Sequence, residues 1–471
     1  MEFTGQGINR RGFLKAAAYG AAVVNAGYST MSHAVPSGRK QGETMPITIQ
    51  HVDANFEREP LIRPFGFKGG YMSEIWQSVA RMESSRGTTA TGICTQSVLW
   101  SDASVFAGHS ESGGNALMYA MSEYGLSLAR GKTFGTPVDL LDSIIDDVYE
   151  YGKKITGNPH LRKTFALNAL VGVDNAAWIL FARENGIDSF DDMIPEEYRP
   201  ALAHHHKKVA SIPLFSYGVP LSEIVDAVDS GYFFMKIKIG QPGSQEEMLK
   251  KDMARLSAIH EAIGNRRTSY SKDGKLPYYF DANGRYESKD TLLKLLDHAD
   301  RIGALNQIAI IEEPFPEELH VDVGDIGVRV AADESAHTDE DAIKRIDMGY
   351  GAIALKAIAK TLSMTLKIAN AAHERDVPCF CADLTVNPIL IDWNKSVAAR
   401  LAPFPGLGLG LLETNGHQNY SNWNTMLGYH PCNGAEWTKT RDGVFTLGDD
   451  YYKKSGGILM ESEHYESMFT H

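Results

Sequence analysis

The chain has 471 residues, of which 43% are apolar and 22% charged, and its formal net charge is −13. Such a length suits two domains around a large core, and the acidic balance argues against a nucleic-acid partner, which demands a basic face. Four scattered cysteines, Cys94, Cys379, Cys381 and Cys432, argue against a disulfide framework, and no run reaches the roughly 18 apolar residues of a membrane span.

Taken in chain order, residues 9 to 15 read Asn-Arg-Arg-Gly-Phe-Leu-Lys, followed by the Ala-rich run Ala16–Ala26 and a small-residue site at Ser32-His33-Ala34. A basic start, a short apolar region and a small-x-small site form a secretory signal, and the arginine pair resembles the twin-arginine type. Residues 1–34 are therefore expected to direct export to the periplasm, with the mature chain beginning near Val35.

From Pro46 to about Gly135 the Gly-, Ser- and Thr-rich texture reads as strands and long loops. Behind Pro137, Leu140, Leu141, Ile144, Ile145 and Val148 repeat at helical spacing. Ala166, Leu170, Val173, Ala177, Leu180 and Phe181 form one face of a helix that ends at Gly186. Residues 46–205 thus read as an α+β unit, closed by a polar stretch in which His204-His205-His206 reads as solvated linker. Beyond it the pattern alternates. Short apolar strands are expected at Ile212–Tyr217, Phe233–Ile239, Tyr278–Asp281, Ile308–Glu312, Val328–Asp333, Ala352–Lys356 and Pro378–Ala382, with Leu407–Leu412 as a last one. Helical segments separate most successive pairs; Glu246–Ile263 is one, and another starts at the cap Thr338. That rhythm predicts parallel strands with crossover helices, closed into an α/β barrel over residues 206–420. Cys379 and Cys381 share a face of one strand and read as buried, inert thiols. Residues 421–471 are expected to pack back on the first unit.

Several of these strands end in an ionisable residue. In the stretch FFMKIKIG, Lys236 and Lys238 lie two apart and project to the same side of a strand. The following strands end at Asp281, Glu312-Glu313, Asp333-Glu334 and Lys356. In a barrel these ends converge on one rim, where active sites of this architecture sit. Three convergent carboxylates stay ionised together only beside a cation, and all-oxygen ligands favour a hard ion, most simply Mg²⁺. A metal facing a substrate carboxylate would stabilise the enediolate formed when the α-proton leaves. Lys238 is then the expected base, Lys236 the neighbour that lowers its pKa by like-charge repulsion, and Lys356 the group on the opposite side.

The set Lys236-Ile237-Lys238, Asp281-Ala282-Asn283, Glu312-Glu313-Pro314, Asp333-Glu334-Ser335 and Leu355-Lys356, in this order, resembles the enolase superfamily and within it the muconate-lactonizing-enzyme-like group. The helix bearing Val173-Asp174-Asn175-Ala176-Ala177-Trp178 is similar to the one closing that family's capping domain. The resemblance spans roughly residues 46 to 420 and implies a capping domain over a modified TIM barrel, (β/α)7β. It implies Mg²⁺ on Asp281, Glu312 and Asp333, acid and base at Lys238 and Lys356, and supporting roles for Glu313 and Asn283. Unlike mandelate-racemase-like members, which pair a His on strand seven with an Asp on strand six, this chain carries Cys379-Phe380-Cys381-Ala382-Asp383 and Lys356 there. Around strand eight, Leu412-Glu413-Thr414-Asn415 replaces the Asp-x-Asp by which dipeptide epimerases hold an ammonium. Lys68 and Tyr71 are expected in a loop that could reach over the barrel mouth. The expected activity is racemisation or epimerisation of a small carboxylate; dehydration of an acid sugar or cycloisomerisation uses the same first step, and a solute-binding protein is the reading of another class. A homo-oligomer is compatible with the sequence.

Overall fold

The computed structural model describes residues 44–67 and 70–469; the expected export signal and Lys68 lie outside them. Two long antiparallel strands, Ile47–Phe67 and Gly70–Ser84, form a ribbon that Thr89–Thr95 and the short Thr133–Phe134 extend into a four-stranded sheet. The helix Val171–Asn185 lies directly on this sheet. A Cβ at Gly92 would stand 2.1 Å from the Gly172 carbonyl oxygen and 2.3 Å from the Ala176 nitrogen, so only glycine lets strand and helix backbones meet. The helix is buried along most of its length, including Trp178 at 0% exposure.

The expectation of strands and loops up to Gly135 fails over Glu111–Ala129, which is a 19-residue helix. Its three glycines depress helix propensity, and tertiary packing overrides them. Gly114 and Gly125 are close-approach sites, where a Cβ would come within 2.9 Å of Val98 and 2.4 Å of Leu170. Ser110 caps the helix by accepting from the Gly113 amide.

Eight parallel staves follow. The first is split by Pro213: Lys208–Ile212 pairs with the last stave, Gly410–Glu413, and Leu214–Phe215 pairs with the second, Met235–Lys238. Between them stand Tyr278–Asp281, Ile308–Glu312, Val330–Ala332, Ala352–Leu355 and Cys379–Cys381, each hydrogen-bonded to the next. The ladder therefore closes into a barrel, an α/β fold with an antiparallel N-terminal unit. Its crossover helices include Gln245–Ile263, Lys289–Arg301 and Asp339–Asp347, the last capped by Thr338 accepting from Asp341 N. Between the fourth and fifth staves residues 313–329 form no helix; Pro314, Pro316, Gly324 and Gly327 deny that segment a helical run.

The C-terminal residues touch both parts. The strand Val444–Thr446 pairs antiparallel with Lys208–Ile212 at the N-terminal end of the barrel. Elsewhere Leu61 bridges Tyr420, Asn422 donates to Glu59, and His464 lies 2.8 Å from Glu57. Among the described residues no single helix is long and apolar enough to cross a membrane; the bent pair Lys163–Ala169 and Val171–Asn185 reaches the length only together and is mostly buried.

Candidate active site

All eight ionisable residues expected at the strand ends lie buried at the C-terminal end of the barrel, each at most 6% exposed. Alternation along Met235–Lys238 sends Lys236 and Lys238 to the interior. The Lys236 ammonium stands 2.8 Å from Glu312 Oε1, 2.9 Å from Asp281 Oδ2 and 3.2 Å from Glu413 Oε2. Lys238 donates to the same Asp281 Oδ2 at 2.5 Å and to Asn283 Oδ1 at 2.5 Å. Across the barrel, Lys356 donates to Asp333 Oδ2 at 2.5 Å and lies over the Trp100 ring, 4.2 Å from its centroid.

The carboxylates divide. Glu312, Asp333 and Glu334 each bring an oxygen within 4.8 Å of the others, whereas Asp281 Oδ2 is drawn to the two ammonium groups of the second stave. The sequence expectation grouped Asp281, Glu312 and Asp333; the geometry adds Glu334 beside Glu312 and Asp333 and sets Asp281 on the lysine side. Asn283 links the halves, accepting from Lys238 and donating to Glu334 Oε1 at 2.8 Å. Glu313 turns the other way and accepts from the Asp333 and Ser335 amides, fixing the turn after the fifth stave. Asn283 and Glu313 hold φ values of 45° and 41°. Left-handed backbone at non-glycine positions directly after two successive staves is strain of the kind that gathers at functional rims.

Charge follows from this packing. Burial and the charges of Asp281 and Asp333 push the Glu312 carboxyl well above its ordinary range, beyond what Lys236 offsets. Burial also raises Asp281, but the ammonium groups of Lys236 and Lys238 win and hold it low. Burial lowers Lys236, yet Asp281, Glu312 and Glu413 together hold it well above the usual lysine range, so it is a fixed positive charge. For Lys356 burial is likewise outweighed, chiefly by Asp333.

A divalent cation fits this donor set. Seven buried carboxyl groups (Asp281, Glu312, Glu313, Asp333, Glu334, Asp383 and Glu413) face four buried lysines (Lys236, Lys238, Lys356 and Lys360), so protons or a cation must make up the balance. Asp333 Oδ1 accepts no hydrogen bond, and the Lys360 ammonium is 3.6 Å from it. The donors are oxygens only, which selects a hard ion.

Several neighbours were not legible as site residues. Trp100 arrives from the N-terminal unit, and its indole N–H points at Asp333 Oδ2 at 3.4 Å. Lys360, fully buried, donates to the Asp333 carbonyl at 2.6 Å; it lies four residues beyond Lys356, a spacing that carries no strand signal. Glu413 binds Lys236 and accepts from the Asp383 amide at 3.0 Å. The loop expected to bring Tyr71 over the mouth contributes Phe65 and Met72 to the cavity wall instead, and Tyr71 is 72% exposed. His206 precedes the first stave, at the opposite end from the rim, its ring bonded to the Leu401 carbonyl. Cys379 and Cys381 are buried; burial pushes the Cys379 thiol up to about 12.

Residues 221–407 match the family described as enolase C-terminal domain-like. The matched segment, less than half of the chain, is similar to that family's C-terminal domain. Three solved structures share the architecture of this chain. The dipeptide epimerase of Enterococcus faecalis, solved with Mg and L-Leu-L-Tyr, is 17% identical over 85% of this chain and 97% of its own, with a TM-score of 0.58. The N-succinyl Arg/Lys racemase of Bacillus cereus is 15% identical over 80% and 89%, TM-score 0.57. The L-talarate dehydratase of Polaromonas, solved with Mg and L-glucarate, is 16% identical over 85% and 93%, TM-score 0.57. At these identities the likeness is one of fold. No curated protein sequence matches the chain.

Proposed function

We propose that this chain is an exported, Mg²⁺-dependent enzyme of the enolase superfamily that removes the proton α to the carboxylate of a small substrate and returns one from the other side, a racemase or epimerase. The observation that carries this reading is the pairing of Lys238 and Lys356. They extend the second and sixth of eight staves, and therefore stand on opposing walls of one cavity that both line, with carboxylates between them.

Asp281, Glu312 and Asp333, with Glu334 alongside, would hold the ion, whose positive charge would lower the cost of removing a proton next to a carboxylate. Lys238 Nζ takes the α-proton on one wall. Lys236 stays charged beside it. Lys356, held protonated by Asp333, gives a proton from the opposite wall, and in the reverse direction the two lysines exchange roles. Trp100 covers the Lys356 ammonium and excludes water from it. The twin-arginine-type stretch at Arg10-Arg11 supports placing the enzyme in the periplasm.

Incubating the purified chain with Mg²⁺ and a panel of chiral carboxylic acids in D₂O tests this. The expected result is deuterium at the α-carbon with inversion and no loss of water. A keto-acid product would assign a dehydratase instead, and tight binding without exchange at any acid would make the chain a binder.

A further inference from the structure

We infer that the substrate's α-substituent is apolar and carries at most one polar group, so that polyhydroxylated acids are excluded; this deepens the reading above and rests on it. The free space of the cavity is small, about 40 Å³ measured to the centre of a water-sized sphere, below the usual size of ligand pockets. Its charged residues, the lysines and acids already described, belong to the carboxylate-bearing end. The apolar part of the wall is Phe65 and Met72 from the N-terminal ribbon, Trp100, Leu214 at the end of the first stave, and Leu384 after the seventh. These five come from separate elements and supply the carbon surface against which the substituent would lie.

The remaining polar groups of the wall are already committed to each other. Thr385 Oγ1 donates to Asn415 Oδ1 at 2.6 Å, and Asn415 Nδ2 donates to Glu413 Oε1 at 3.1 Å. Asp383 accepts from the Asn415 and Val386 amides, and Asn283 is held between Lys238 and Glu334. The Ser97 hydroxyl is the one wall group that makes no hydrogen bond among the described residues, although its amide donates to Asn168 Oδ1. A substituent bearing several hydroxyls would leave water for a wall that can answer only one of them, and the unanswered groups would weaken both binding and turnover.

The test is a matched pair of panels offered to the full chain with Mg²⁺ in D₂O: α-substituted acids with alkyl or aryl groups, and sugar acids of similar size. Deuterium exchange is read by NMR, and the melting temperature with each acid gives a measure independent of turnover. The expected result is exchange with alkyl or aryl acids at a kcat/KM at least about a hundredfold above any sugar acid, with a raised melting temperature only for the former. Equal or faster exchange of sugar acids overturns the inference while the proposed proton transfer stands. If nothing exchanges, a melting shift confined to the apolar panel sinks the reaction but keeps the inference about the wall, and no shift in either panel sinks both.

Discussion

Lys236 and Lys238 converge on a single oxygen of Asp281, at 2.9 and 2.5 Å. Two ammonium groups two residues apart on one stave therefore share one carboxylate, yet their surroundings differ. Lys236 is enclosed by three acids, whereas Lys238 donates to Asp281 and to the neutral Asn283; both line the cavity. On that asymmetry rests the proposed division between a counter-ion and a base.

Replacing either wall lysine should then remove one face of the reaction only. Lys238→Ala and Lys356→Ala are each expected to lower racemisation by about 10²- to 10⁴-fold. Each variant should still exchange the α-proton of the one stereoisomer that presents it to the remaining lysine, without inverting it. NMR in D₂O on each enantiomer separately shows whether the losses are mirror images.

Lys236→Met should act on stability first. It leaves Asp281, Glu312 and Glu413 buried without their shared counter-ion, a loss of about 3–5 kcal/mol. Urea unfolding in EDTA should show it near neutral pH. The deficit should shrink as the pH falls, because protons then neutralise the stranded carboxyls. Added Mg²⁺ should raise the unfolding midpoint of the unaltered chain, since an ion bound only by the folded form stabilises it.

The helix of the N-terminal unit is clamped to the barrel by Asp174, which accepts from Ser363 Oγ at 2.5 Å and Ser363 N at 3.1 Å. Burial, only partly offset by the Ser363 bonds, raises its carboxyl from 3.8 to about 7. A raised acid binds its proton more tightly in the folded state. Its contribution is fully present below the unfolded pKa and is lost as the pH climbs toward 7, at up to about 1.4 kcal/mol per unit. Asp174→Asn should remove about one proton from the pH dependence of unfolding across that window, measured as a flatter slope of stability against pH.

Gly92→Ala adds one carbon where only backbone atoms of Gly172 and Ala176 are available to yield. Strand and helix must separate, at a cost of about 1–3 kcal/mol. Thermal unfolding should register that loss, while Gly87→Ala, whose added carbon meets nothing within 4 Å but whose φ is +83°, tests backbone strain alone.

Barrel strands were legible where burial was continuous and an ionisable residue closed the run: Tyr278–Asp281 and Ile308–Glu312 were read to the residue. The first stave was misplaced toward its C-terminal end, because Pro213 interrupts it and its earlier half, Lys208–Ile212, begins with a charge. The helix Glu111–Ala129 was hidden by glycines whose purpose is packing, a property of neighbours distant along the chain. Trp100 and Lys360 were hidden for the same reason: neither has a spacing that marks it, and each matters only because the fold carries it to Asp333.

By itself the order of residues determined the alternation of strands and helices, the barrel, and the row of lysines and acids at one rim, since periodicity and strand-end chemistry are local properties. Only the tertiary structure decided which acid each lysine neutralises, that Glu334 stands beside Glu312 and Asp333, and that Phe65, Met72 and Trp100 join the cavity's lining. Those outcomes depend on distances between side chains from separate staves, which burial and charge balance set when the barrel closes.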